Sequence, residues 1–223
     1  MKDIVLDHGS VELLRSVGDD LAVVNAARVS FGRESSAIGD PERGLIRYLM
    51  RERHGTPFEV VDLTFRVSCP LAVAREWMRH RISSFNEVSG RYVKLEPLFY
   101  VPAEFRRRVG KPGRYQYEPV DPSSSSAAQK MLRGFYDYAD RVYEELWSLG
   151  VAPEQARLVN PLGIYTEFIY KANLRSFLNF TELRAAPNAM EEIRCYAVSM
   201  ERMAREVAPE CLAAFDAAGR RAP

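Results

Sequence analysis

The sequence predicts an α+β fold made as one domain over residues 1–223. Val61, Leu63, Phe65 and Val67 alternate with Asp62, Thr64, Arg66 and Ser68, the period of a half-buried strand. Other stretches repeat apolar residues at i, i+3, i+4 spacing, as amphipathic helices do. Strands and helices follow one another through 223 residues with no internal repeat and no clear linker. That length suits one sizeable domain or two small ones, and the missing linker favours one.

In chain order, residues 4–6 predict a short opening strand. Residues 19–29 predict a helix with Leu21, Val24 and Ala27 or Arg28 on one side. Asp40-Pro41 opens a second helix, because proline is favoured in a first turn and Leu45, Ile46 and Leu49 follow at helical spacing. His54-Gly55-Thr56-Pro57 breaks it, and the alternating strand comes next. Pro70 opens a third helix, carrying Leu71, Ala74, Trp77 and Met78, which runs into Arg79. The segment that follows reads as a loop, and residues 93–120, rich in Pro, Gly and Arg, read as irregular. Asp121-Pro-Ser-Ser-Ser-Ser126 is a linker or, better, the N-cap of a long helix ending near Leu149. Residues 152–158 predict a short helix and residues 164–169 a strand. Two helices, roughly 173–184 and 189–207, close the chain. The last carries Met190, Ile193, Tyr196, Ala197, Met200, Met203, Ala204 and Val207, a core or helix-packing stripe.

Composition narrows the function. The net charge is +1, so no overall basic field favours coating nucleic acid. Of 31 basic residues only five are lysine, which leaves many planar guanidinium forks suited to phosphates and carboxylates. Cys69, Cys195 and Cys211 form no CxxC pair, and with only His8, His54 and His80 no zinc-site spacing can be assembled. No metal is expected, and the cysteines read as reduced thiols of a cytosolic protein. MKDIVLDHGS carries no secretory signal and no run approaches a membrane span, so a soluble cytoplasmic protein without a membrane partner is expected.

Residues 79–92, RHRISSFNEVSGRY, concentrate Arg79, His80, Arg81 and Arg91 around a lone acid, Glu87. Two unit charges ~6 Å apart repel by about 3 kcal/mol at an effective dielectric near 20, which a packed segment tolerates only around an anion. Arginine forks bind phosphate bidentately, Ser83, Ser84 and Ser89 add hydroxyl donors, and Gly90 permits close backbone approach. Glu87 could accept from a sugar hydroxyl or balance an arginine; Phe85 and Tyr92 could pack beside a ring. The ensemble suits a nucleotide or dinucleotide. The competing reading, a cationic helix end facing its dipole, covers Arg79 and Arg81 but not the polar residues after them.

The spacing Arg79-His80-Arg81, seven residues, Ser89-Gly90-Arg91-Tyr92 resembles the signature of the flavin-dependent thymidylate synthases. The resemblance covers nearly the whole chain. It includes Ala27-Arg28-Val29-Ser30-Phe31, His54-Gly55-Thr56-Pro57-Phe58-Glu59, Ala156-Arg157, Asn173-Leu174-Arg175-Ser176, Asn179 and Leu183-Arg184-Ala185. It implies a mixed or antiparallel sheet flanked by long helices, in a homotetramer that binds FAD at subunit interfaces. It implies methylene transfer from methylenetetrahydrofolate to C5 of dUMP, with NADPH reducing the flavin. By resemblance Ser30, Thr56, Arg79, His80, Arg81, Glu87, Asn173, Arg175 and Asn179 contact FAD, with His54 near the flavin. The nucleotide meets Arg79, Glu87, Val88, Ser89, Gly90, Arg91, Arg157 and Arg184, with Glu76 at a further nucleotide-contacting position.

Uracil C5 is a weak nucleophile until the ring becomes electron-rich. A cysteine thiolate added at C6 would do this, but it needs a lowered pKa and partial exposure. Cys69 precedes Pro70 at a strand end, Cys195 sits in the core-patterned helix, and Cys211 is placed in a loop or C-terminal turn; all three read as structural. An arginine against the uracil edge achieves activation electrostatically, and the resemblance gives that role to Arg184. Ser89 as a nucleophile has only His80 as a local base, and phosphate binding suits it better.

Two positions depart from the family pattern. Glu76 replaces a common glutamine, and its carboxylate is expected to pair with Arg79 or His80 at i+3 or i+4. Asn188 stands where many members carry histidine, and with Glu191 it fits an N-cap opening the last helix. Nucleotide specificity is therefore open between dUMP and UMP, which differ by one 2′-hydroxyl. Outside this class stand a nucleic-acid-binding module using Arg106-Arg107-Arg108 and Lys111, which otherwise read as a solvated loop, and a non-catalytic flavin binder.

Overall fold

The computed structural model describes residues 1–112 and 114–223; Gly113, inside the stretch expected to be irregular, lies outside the described residues. Seven strands and eight helices longer than a 3₁₀ turn are described: β1 Lys2–Val5, β2 Gly9–Val17, α1 Asp20–Arg28, α2 Asp40–Arg51, β3 Asp62–Pro70, α3 Leu71–Trp77, β4 Ser84–Glu87, β5 Arg106–Lys111, β6 Arg114–Pro119, α4 Pro122–Ser148, α5 Pro153–Ala156, β7 Tyr165–Asn173, α6 Leu174–Arg184, α7 Glu191–Val207 and α8 Pro209–Ala217. The main sheet is antiparallel in the order β1-β2-β3-β7-β4. The fold is α+β, as the alternation and helical stripes predict.

β3 and β7 form the spine, in register from Asp62 opposite Asn173 to Pro70 opposite Tyr165. Leu63, Phe65, Val67 and Cys69 point inward and are fully buried. Thr64, Arg66 and Ser68 face the other way, where Arg66 lies 3.6 Å from Glu12 and 3.7 Å from Glu167 on the flanking strands. One sheet face is thus covered by helices and the other is polar, the two-layer arrangement of an antiparallel sheet. Over the buried face, Trp77 of α3 stacks on Phe180 of α6 at 4.9 Å and meets Phe168 of β7 edge-on at 5.4 Å. Tyr196 of α7 donates to the Ser68 carbonyl at 2.8 Å. This packing fixes the end of α3 against α6, and the site is built there.

Several local expectations need correction. The opening strand is Lys2–Val5 and pairs with β2, a strand the sequence pattern did not announce. The segment after α3 is not all loop, because Ser84–Glu87 adds β4 to the free edge of β7. Residues 93–120 are not wholly irregular: β5 and β6 make a two-stranded hairpin from Arg106 opposite Pro119 to Lys111 opposite Arg114. Arg107 there pairs with Glu118 at 3.0 Å, and Arg108 lies over the Tyr115 ring at 4.4 Å. Residues 152–158 split into α5 and a 3₁₀ turn, Arg157–Val159. The N-cap of α7 is Met190 with no side-chain cap, so Asn188 does not cap it. A third closing helix, α8, contains Cys211, which is buried in the core and not in a loop. The Asp121 expectation holds: its carboxylate accepts from the Ser124 amide at 3.0 Å and caps the 27-residue α4. Among the described residues no helix is long and apolar enough to cross a membrane.

Candidate active site

Helix α3 ends at Trp77, whose ring is buried on Phe180 of α6, and the chain continues as Arg79, His80 and Arg81, with the His80 ring against the same Phe180. Asn173 ends β7 and caps α6, its side-chain oxygen accepting from the Ser176 amide at 2.9 Å. α6 then presents Arg175, Ser176, Asn179, Leu183 and Arg184 toward the same space. The result is a cleft of about 600 Å³. Seven residues expected from the sequence meet in it: Arg79, His80, Arg81, Asn173, Arg175, Asn179 and Arg184.

The cleft is cationic and partly self-paired. Arg53, Arg79, Arg81, Arg175 and Arg184 line it, against Glu59 as the lining acid. Arg175 Nη1 donates to Glu59 at 2.6 Å, and its Nε donates to the Pro223 carbonyl at 3.1 Å. Gly55 lies directly beneath this side chain: a Cβ there would be 2.3 Å from Arg175 Nε, so any larger residue would displace the guanidinium. Arg79 and Arg184 share Glu76, so among the described residues Arg53 and Arg81 are the cleft arginines without an ion pair, and such an excess of guanidinium around an open space suits an anion.

Arg184 is the most constrained of the set, with 19% of its side chain exposed. Its Nη1 donates to Glu76 Oε2 at 2.8 Å, its Nη2 to the Glu76 carbonyl at 3.3 Å, and its Nε to His80 Nε2 at 2.9 Å. Glu76 therefore pairs with Arg184 as well as with Arg79, which is 3.6 Å away. The His80 ring meets Phe180 edge-on at 5.0 Å. Burial, and then the Arg184 guanidinium, pull the His80 pKa down to about 4, with Glu76 opposing them. His80 is thus a neutral acceptor at pH 7 and holds no proton on Nε2. A guanidinium has five N–H groups; three are used by Glu76 and His80, which leaves two on the Nη atoms free for a ligand.

The remaining expected residues form a second cluster along β4 and beyond. Glu87 accepts from the Thr166 hydroxyl at 2.6 Å, and the Val88 amide donates to the Glu167 carbonyl at 2.9 Å. Ser89 Oγ accepts from the Arg91 amide at 3.3 Å. A Cβ on Gly90 would sit 3.4 Å from Arg157 Cδ, so these two positions are neighbours, and Arg91 Nε lies 3.4 Å from Glu154. Three residues stand outside both groups. Ser30 is on the exposed 3₁₀ turn Val29–Phe31, Thr56 opens the turn Thr56–Val60, and the His54 ring packs edge-on against Tyr48 at 5.7 Å. Arg53, Glu59 and Ile82 also line the cleft without a role expected from the sequence, and Ser83, expected as a hydroxyl donor, lines it too. Glu59 lay inside a quoted match, and Ile82 and Ser83 inside the signature; Arg53 had no signal beyond its type.

No thiol is poised for attack. Burial pushes the Cys69 and Cys211 thiols well up, and burial with Glu191 raises Cys195. Ser89 has no base either, since the one His80 lone pair is occupied by Arg184.

A family model described as thymidylate synthase complementing protein, Thy1, matches residues 12–210. The chain belongs to this flavin-dependent thymidylate synthase family. It is 43% identical over 215 residues to the flavin-dependent thymidylate synthase of Thermotoga neapolitana, covering 96% of this chain and 94% of that protein. It is 42% identical over 212 residues to that of Thermus thermophilus, covering 95% and 77%. Its structure resembles a UMP/dUMP methylase, PolB from Streptomyces cacaoi, bound with 5-Br dUMP, at a TM-score of 0.91 and 38% identity over 98% of this chain and 99% of that one. The same methylase bound with 5-Br UMP gives 0.90 and 39% over 98% of each chain.

Proposed function

We propose that this chain methylates C5 of a pyrimidine nucleotide, converting dUMP to dTMP, with methylenetetrahydrofolate as one-carbon donor and NADPH as reductant. The observation that carries this is Arg184: a guanidinium fixed by Glu76 and His80 at the cleft wall, with two N–H groups unspent and no activated cysteine in the chain. In this reading those N–H groups stabilise negative charge developing on a uracil edge in a partly buried site.

The residues fit FAD. A diphosphate needs several guanidinium or amide donors, and Arg79, Arg81 and Arg175 supply them around one cleft. His80, Asn179 and the capping Asn173 add neutral polar groups, while Ile82 and Leu183 offer apolar contact. When bound, a reduced flavin supplies hydride to the transferred carbon. The chain's own part is to bind, orient and polarise: Arg184 stabilises the activated pyrimidine, Glu76 and His80 hold Arg184, and Ser89, Arg91 and Arg157 receive the nucleotide phosphate. Ser30, His54, Thr56 and Glu87 complete the flavin surroundings in this reading.

A homotetramer supports the separation of these groups. Val29 and Phe31 beside Ser30 are 73% and 79% exposed, and Met131, Phe135 and Tyr138 form an exposed apolar stripe on α4. Exposed apolar surfaces of that kind suit a partner chain, and in this reading copies of the single 1–223 domain of a cytoplasmic protein complete one another's sites. UMP is the second candidate substrate, favoured by the likeness to a methylase bound with both 5-Br dUMP and 5-Br UMP. The test supplies protein, FAD, NADPH and methylenetetrahydrofolate with equal dUMP and UMP, and weighs the products. 5-Methyl product from dUMP is expected. Product from UMP alone would move the assignment to a ribonucleotide methylase, and no product from flavin-loaded protein would end the enzymatic reading.

A further inference from the structure

The end of α2 is closed by a pattern that ordinarily selects glycine. The His54 amide donates to the Leu49 carbonyl at 2.9 Å and the Arg53 amide to the Met50 carbonyl at 3.2 Å. These are the paired closing bonds of a Schellman motif, whose residue after the cap lies in the left-handed region. Here that residue is Arg53, at φ 58°. A side chain is disfavoured there, whereas glycine is not.

The helix does not need this cation. Arg51 already provides a basic group in the last turn. The acid next to it in the chain and the acid of the same cleft already have partners: Glu52 is paired with Arg51 at 2.8 Å and Glu59 with Arg175 at 2.6 Å. Its side chain instead lines the cleft beside Glu59 and Arg175. Strain kept at the edge of a cationic cleft is the pattern of a residue retained for binding.

We infer that Arg53 is a phosphate-binding residue of this cleft, adding a guanidinium to the diphosphate of the bound dinucleotide. The inference rests on the cleft being the flavin site proposed above.

The test titrates the flavin-free protein with FAD and with riboflavin, which has no phosphate, for wild type, Arg53→Gly and Arg81→Ala. Arg53→Gly should bind FAD roughly tenfold more weakly, the loss of a charged hydrogen bond at an exposed position. Its affinity for riboflavin should equal that of wild type. Its unfolding midpoint without flavin should match or exceed that of wild type, because glycine relieves the left-handed strain. Lysine at the same position should recover part of the loss. Unchanged FAD affinity in Arg53→Gly, with Arg81→Ala weakened, would overturn the role of Arg53 and leave the flavin cleft standing. An equal loss for riboflavin would also overturn it, as pocket damage and not phosphate binding. Wild-type protein that bound no FAD would overturn the inference and the flavin reading together.

Discussion

Residues 79–84 and residues 88–92 belong to one short signature, yet the structure holds them in different ways. The first part is locked: Trp77 anchors it in the aromatic core, His80 accepts from Arg184, and Arg79 and Arg184 share Glu76. The second part hangs from the edge strand β4 and is steadied by a turn, with Arg91 facing Glu154 at 3.4 Å. Among the described residues the Ser89 hydroxyl accepts one backbone N–H of that turn and makes no further bond. The lesson is a division of labour. Under the proposed function, the group that must hold a direction before substrate arrives is fixed by the chain itself, whereas the groups proposed to receive a soluble phosphate are left to be ordered by it.

This contrast predicts graded effects. The largest belongs to Arg184: Arg184→Ala should lower turnover roughly a hundredfold to a thousandfold, the cost of removing a preorganised donor to developing charge. Arg81→Ala should weaken FAD binding about tenfold or more, read by flavin titration. Glu76→Ala should lower kcat about tenfold with little change in KM for the nucleotide, because it frees the Arg184 side chain without removing it. Glu76→Gln keeps an acceptor and should recover most of that rate; equal loss in both variants would argue that the charge itself matters.

Acid should unlock the first part before the second. His80 titrates near 6.5 in an unfolded chain and near 4 in the fold. Between those values the unfolded chain holds a proton that folded His80 refuses, so stability falls as pH drops through the window and is unaffected above it. Half-exposure limits the effect to about 1–2 kcal/mol. Urea unfolding at pH 7 and 4.5 should show this difference in wild type and a smaller one in His80→Asn. The smallest effect is expected in the loose part: Arg91→Ala should raise KM about threefold, and less in high salt, as for exposed ion pairs.

What could be read in the sequence follows the same line between locked and loose. β3 was legible because one face is buried along its whole length, and α2, α4, α6 and α7 because each presents one apolar side. β2 was not, since a register shift between Leu13 and Arg15 breaks its alternation. β4 is a polar edge strand, and both strands of the β5–β6 hairpin are exposed on both faces, so neither leaves a burial pattern. α8 carried a proline at its first turn, but its alanines blur the stripe. The charged signature marked the cleft, and resemblance named seven of the residues that line it. The contact between Glu76 and Arg184, 108 residues apart, was not legible, because only the packing of α3 on α6 creates it.

The most direct test of the account is a paired measurement on one preparation of Arg184→Ala: bound flavin per chain, and the rate of 5-methyl product from dUMP. Wild-type flavin content with turnover nearly lost is the expected result. Wild-type turnover in that sample would contradict it, because the pyrimidine would then be activated by some group other than the guanidinium held between Glu76 and His80.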